Sequence, residues 1–142
     1  MGWWDVSIMG GDQPLDIEWC FEDRFAEPRE SRFDDAVIRP ISAEDGLAFM
    51  REQIARDDDP VTRQVVGFLL IKNGAPMLPE TRALVLEGID TEINAESDWN
   101  DPAKRKAALS DFAAIVEKYP AEGGRVDLPE QPGLFDKIFG AA

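Results

Sequence analysis

Val65-Val66-Gly67-Phe68-Leu69-Leu70-Ile71 is the run on which the fold turns. It is apolar nearly all round. Read as a helix, it is the central and most buried element of a helical domain. Read as a strand, it is short, β-branched and buried on both faces. The segments around it are those of a helix. Upstream, Asp57-Asp58-Asp59-Pro60 ends one helix and starts another. Asp59 serves as cap, and Pro60 sits at the first position, where its missing N–H is harmless. Downstream, Asn73-Gly74 is a helix stop and Pro76 follows. Gly67 in mid-helix costs about 1 kcal/mol against alanine, so we read it as a point of close helix–helix approach.

The same punctuation recurs outward from this run. Asp12 caps a first helix that has Pro14 in its first turn and runs to about Phe25. Leu15 and Trp19, with Ile17 and Phe21, give that helix a partly apolar face. Residues 27–35 are charged, carry Pro28 and read as loop; residues 36–41 read as extended, since Arg39 precedes Pro40. Ser42 opens the next helix, with Glu44 and Asp45 in its first turn and Leu47, Met50 and Ile54 on its buried face. Pro79 begins a fourth helix, to about Ile93, with Leu84, Val85, Leu86 and Ile89 as its core face. Residues 94–100 are a polar loop holding Trp99. Asp101-Pro102 then starts a fifth helix, which carries Leu109, Phe112, Val116 and Tyr119 and stops at Pro120 and Gly123-Gly124. The pattern predicts a mostly α, single compact domain of about five helices over residues 1–124, with minor extended segments. Residues 125–142 form a C-terminal tail with a short apolar segment.

A chain of 142 residues suits one domain. At 44% hydrophobic it is not compositionally disordered. Trp3-Trp4 at the extreme N-terminus implies packing there, since so much aromatic surface is costly to leave loose. The single cysteine, Cys20, allows no internal disulfide and fits a reducing compartment. No signal peptide or membrane-length apolar run is visible, so a cytoplasmic protein without membrane contact is expected. The 29 acidic residues against 15 basic give a formal charge of −14. Such a field repels nucleic acid directly and attracts a basic protein surface; solubility is its simplest use. The chain has no histidine, which removes Ser-His-Asp and Cys-His nucleophile systems. Histidine zinc sites go with them, and one cysteine makes no thiolate zinc cluster.

Trp3-Trp4, Gly10-Gly11-Asp12 and Leu15-Asp16 together resemble the start of a family of small uncharacterised bacterial and phage proteins. The apolar helix at 65–71 followed by Leu78-Pro79-Glu80 is similar too. So is Trp99-x-Asp101-Pro102-x-x-Arg105-x-x-Ala108-Leu109. The doubled tryptophan and the long charged loop before Ser42 depart from the pattern. The resemblance implies a compact helical domain in a bacterial or phage setting and transfers no catalytic residue.

Each constellation with chemical potential has a plainer reading. Gln131, Leu134 and Phe135 resemble the Gln-x-x-Leu-Phe peptide that binds the bacterial sliding clamp, on a Pro/Gly-flanked tail able to extend. The plainer reading, and the one we expect, is that Leu134, Phe135, Ile138 and Phe139 dock on the domain. Asp57-Asp58-Asp59 has no calcium-loop spacing and reads as capping. Gly10-Gly11-Asp12 lacks a phosphate-loop lysine and reads as a tight turn. Cys20 reads as a buried, inert thiol. Glu18, Glu22 and Asp23 share the first helix, with Glu18 and Glu22 four apart on one face, and read as a solvated acidic surface. With no cofactor or metal motif, the expected function is a non-enzymatic acidic binding protein. Its class is inhibitor or immunity-type, covering a basic surface of a partner protein. The alternatives are a replication accessory recruited to the sliding clamp, or an enzyme built on carboxylates.

Overall fold

Residues 60–72 are helical, which settles the reading of the apolar run. The computed structural model describes residue 8 and residues 12–31, 36–95 and 101–124. Trp3, Trp4, Trp99 and the tail 125–142 lie outside them. Among the described residues five helices follow in chain order: α1 (Asp12–Phe25), α2 (Ala43–Arg56), α3 (Pro60–Lys72), α4 (Pro79–Ile93) and α5 (Pro102–Lys118). Among the described residues there is no strand; the extended segment makes one antiparallel bridge, Ala26 with Ile38.

Three caps that the sequence spells are in place, at Ser42, Asp59 and Asp101, while Asp12 is the first residue of α1. Ser42 Oγ accepts from Asp45 N at 3.1 Å, Asp59 Oδ1 from Val61 N at 2.8 Å, and Asp101 Oδ1 from Lys104 N at 3.1 Å. Each supplies an acceptor to an N–H that has no partner within its helix. Lys118 and Arg82 act at the other end of α5. Lys118 stands in its last turn, and Arg82 Nη1 donates to the carbonyls of Val116 and Glu117.

α3 is the hub. It packs on α1, α2 and α4, and α4 packs in turn on α5. Residues 64–71 are all buried, because every face of α3 meets a neighbour. Gly67 marks its closest approach to α4: a Cβ there would lie 2.5 Å from Val85 Cγ2 and 2.7 Å from Val85 Cγ1. Gly74 ends the helix at φ +69°, a left-handed conformation that favours glycine. Beyond it, residues 75–77 are laced to the turn after α5. Tyr119 Oη donates to Ala75 O at 2.7 Å, Met77 N to Ala121 O at 2.9 Å, and Gly124 N to Gly74 O at 3.2 Å.

Two helices bury only part of the face expected, Ile17 and Phe21 on α1 and Val85 and Ile89 on α4. α1 buries Pro14, Ile17, Phe21 and Phe25 and leaves Leu15 and Trp19 exposed. Phe21, Phe25 and Phe49 of α2 form a ring cluster with centroids 5.0–5.5 Å apart, and three rings on one side decide which side faces in. On α4 the core face is Thr81, Val85, Gly88 and Ile89, with Leu84 and Leu86 only half-buried. The glycine pair Gly67 and Gly88 draws α3 and α4 together along that line. At Gly88 a Cβ would lie 3.0 Å from Pro60 O.

A polar triad crosses this core. Arg105 of α5 is 1% exposed. Its Nε donates to Glu92 Oε2 at 2.6 Å, and its Nη2 to Glu92 Oε1 at 2.9 Å and to Gln64 Oε1 at 2.7 Å. Gln64 Nε2 donates to Glu92 Oε1 at 2.9 Å, so α3, α4 and α5 share one closed set of hydrogen bonds. Pairing of this kind is what makes a buried guanidinium tolerable.

Candidate functional site

α1 is the helix whose sequence and position disagree most with a purely structural role. At 3.6 residues per turn its fourteen residues divide into four sides. Ile17, Phe21 and Phe25 point inward. Leu15, Trp19 and Asp23 form an outer ridge. Gln13, Asp16 and Cys20 lie on one flank, and Glu18 and Glu22 on the other.

The ridge is apolar where a solvent face is usually polar. Leu15 is 45% exposed and Trp19 41%. They stand one turn apart and are therefore neighbours on the surface. Each flank of the ridge falls into a cleft lined by carboxylates. The first cleft, about 310 Å³, lies between Glu18, Glu22 and the apolar side chains of Phe21, Ile38 and Leu69. Lys72 stands at its edge. Burial among these groups pushes the Glu18 carboxyl above its ordinary 4.5; Lys72 pulls it back and Glu22 pushes it up further. Glu22 Oε1 also takes a hydrogen bond from Arg29 Nη2 at 2.8 Å, which ties the loop after α1 to the helix. Val37, beside the cleft-lining Ala36 and Ile38, is 58% exposed.

The second cleft, about 200 Å³, lies between α1, the end of α2 and the start of α3. Asp16 and Asp57 are exposed at its rim, and Ile17, Cys20 and Gln53 line it further in. Arg56 Nη1 donates to Cys20 Sγ at 3.1 Å. Gln13 Nε2 reaches Thr62 Oγ1 at 3.2 Å and Asp57 Oδ2 at 3.4 Å.

Against the sequence expectation, Glu18, Glu22 and Asp23 do not form one solvated face. Glu18 and Glu22 are half-buried in the first cleft; Asp23 is exposed on the ridge side. Cys20, expected to be buried, is half-buried and sits under a guanidinium. The peptide-like residues Gln131, Leu134 and Phe135 lie outside the described residues, as does Gly10-Gly11. Sequence reasoning gave Arg105, Gln53 and Lys72 no role. Arg105 had a readable signal: it lies four residues before Leu109 and so continues the inward stripe of α5 toward its N-terminus. Gln53 and Lys72 had none, because their surroundings come from other helices.

Among the described residues, no three His, Cys, Asp or Glu side chains are placed to hold a metal ion, and no helix is long and apolar enough to cross a membrane. The fold and this surface define a class: an acidic, mostly α domain, with five helices among the described residues and an apolar ridge between two carboxylate-lined clefts. No family model, curated protein or solved structure matches the chain.

Proposed function

We propose that this chain is a non-enzymatic acidic binding protein of the inhibitor or immunity type, which covers a basic surface of a partner protein with α1. The observation that carries the reading is the exposed Leu15–Trp19 pair with acids on both flanks. A tryptophan at the centre of an interface is the commonest energetic anchor, and a polar rim around it excludes water. The rim here is anionic, which selects a cationic partner and speeds its approach. A charge of −14 argues for protein rather than a phosphate backbone as that partner, in the cytoplasm of a bacterial or phage-infected cell.

Capture from the native host on immobilised chain tests this. The expected partner is a basic protein whose retention falls as salt rises. Trp19→Ala should weaken it by at least about thirtyfold, the equivalent of a ~2 kcal/mol anchor. Capture of a sliding clamp, lost with Gln131→Ala and Phe135→Ala but not with Trp19→Ala, would replace this reading with the replication-accessory one. Salt-insensitive binding, or binding indifferent to Trp19, would refute it.

A further inference from the structure

We infer that the smaller cleft, between α1, the end of α2 and the start of α3, is a docking subsite for an arginine-bearing peptide segment. This rests on the binding reading above and adds what the partner presents. Gln53 is the starting point. It is only 8% exposed, it lines the cleft, and among the described residues no hydrogen bond holds its side-chain amide. The amide is not sealed in the core; among the described residues the one unpartnered buried side-chain atom is Thr81 Oγ1. It opens on the cleft instead. An amide left in this way offers one acceptor and two donors, which matches a peptide group that both donates and accepts.

The charges name the side chain that comes with that peptide group. Asp16 and Asp57 are both at the rim. Arg56 opposes a second cation, but its guanidinium is turned to Cys20 Sγ, and the three charges leave the cleft negative. A guanidinium pairs with carboxylates through a planar fork and lays its stem on apolar surface, here Ile17 and Cys20. The volume, about 200 Å³, falls below the ~300–1,000 Å³ of small-molecule sites and suits a single side chain with its peptide group. The cleft shares Asp16 and Cys20 with α1, so a segment seated in it runs directly alongside the Leu15–Trp19 ridge.

The test is an NMR titration of the isotope-labelled full chain with three blocked tripeptides: acetyl-Gly-Arg-Gly-amide, its citrulline counterpart and its glutamate counterpart. The arginine peptide should shift the Gln53 side-chain amide signals saturably. The glutamate peptide should bind at least tenfold more weakly, and citrulline should fall between. Gln53→Met and, separately, Asp57→Asn should each weaken the arginine peptide by at least fivefold; the rim variant keeps the test open if the buried one unfolds. Equal shifts from the arginine and glutamate peptides, or no movement of the Gln53 signals, would overturn the subsite. The titration needs no partner, so the two readings fail separately. A basic partner held through Trp19 but indifferent to Gln53→Met and Asp57→Asn leaves the binding reading and sinks the subsite. Arginine-selective binding with no basic partner captured does the reverse.

Discussion

Substituting Gly67→Ala measures how tightly α3 and α4 are drawn together. In an exposed helix this change stabilises by about 1 kcal/mol, because glycine is the poorer helix former. Here the added Cβ would meet Val85 Cγ2 at 2.5 Å and Cγ1 at 2.7 Å, and Val85 is fully buried with nowhere to turn. Overpacking of this kind costs about 1–3 kcal/mol. The clash outweighs the propensity, and a net loss of about 1 kcal/mol is expected, near 3 °C in Tm for a domain of this size. Urea unfolding of the single and double variants separates the two effects. Val85→Ala alone removes two methyl groups, about 1.6 kcal/mol of transfer energy, with a cavity cost on top. In the double variant the methyl of residue 67 enters the space that Val85 gave up. The pair should therefore be more stable than the sum of the singles by about 1 kcal/mol, well outside the ~0.3–0.5 kcal/mol within which independent sites add. Stabilisation by Gly67→Ala alone, or simple additivity, would show that the two helices do not touch there.

Three further outcomes follow from the interior and the first cleft. Arg105→Met strips Glu92 and Gln64 of their shared donor and should cost about 3–5 kcal/mol by urea unfolding; a loss under about 1 kcal/mol would contradict a closed network. Thr81→Val removes a buried hydroxyl with no hydrogen-bond partner and should leave stability unchanged or raised by up to about 1 kcal/mol; a clear loss would mean that Oγ1 is bonded. Glu18 should titrate above 4.5, with Lys72→Met raising it further. Because the folded value lies above the unfolded one, the fold favours the protonated acid. The stability this confers is complete below the unfolded value and disappears as pH rises through the folded one. Glu18→Gln should therefore gain on the parent in thermal melts as pH rises above 4.5. A Glu18 carboxyl signal titrating at or below 4.5 would refute the burial argument.

How much of this was legible in the sequence depends on the range of the cause. Helix starts were readable because a cap acts across three residues: Ser42, Asp59 and Asp101 each hold the N–H that the spelling implies. The central run declared itself a helix through Asp59-Pro60 before it and Asn73-Gly74 after it, although its composition alone would suit a strand. The inner face of α1 was legible only in part: Ile17 and Phe21 are buried as expected, Leu15 and Trp19 are not. Leu15 and Trp19 repeat as regularly as Phe21 and Phe25, and the tie is broken by partners on other helices, α3 and the ring of Phe49 on α2. The clefts were hidden for the same reason. Lys72 lies far along the chain from Glu18, and Gln53 becomes unusual only once α1 closes over it.

The bridge between Ala26 and Ile38 has a practical meaning for how this chain tolerates length. Glu27 N donates to Val37 O at 2.7 Å and Arg39 N to Phe25 O at 2.9 Å, so the two feet of the intervening segment are clamped together at the base. The entropy of bringing those feet together grows only with the logarithm of the span, and doubling it costs about 0.6 kcal/mol. Extra length between the two feet should therefore cost little closure entropy, because the footing is already fixed; urea unfolding of an insertion variant measures it. The second foot, Ala36 and Ile38, borders the cleft that Glu18 lines.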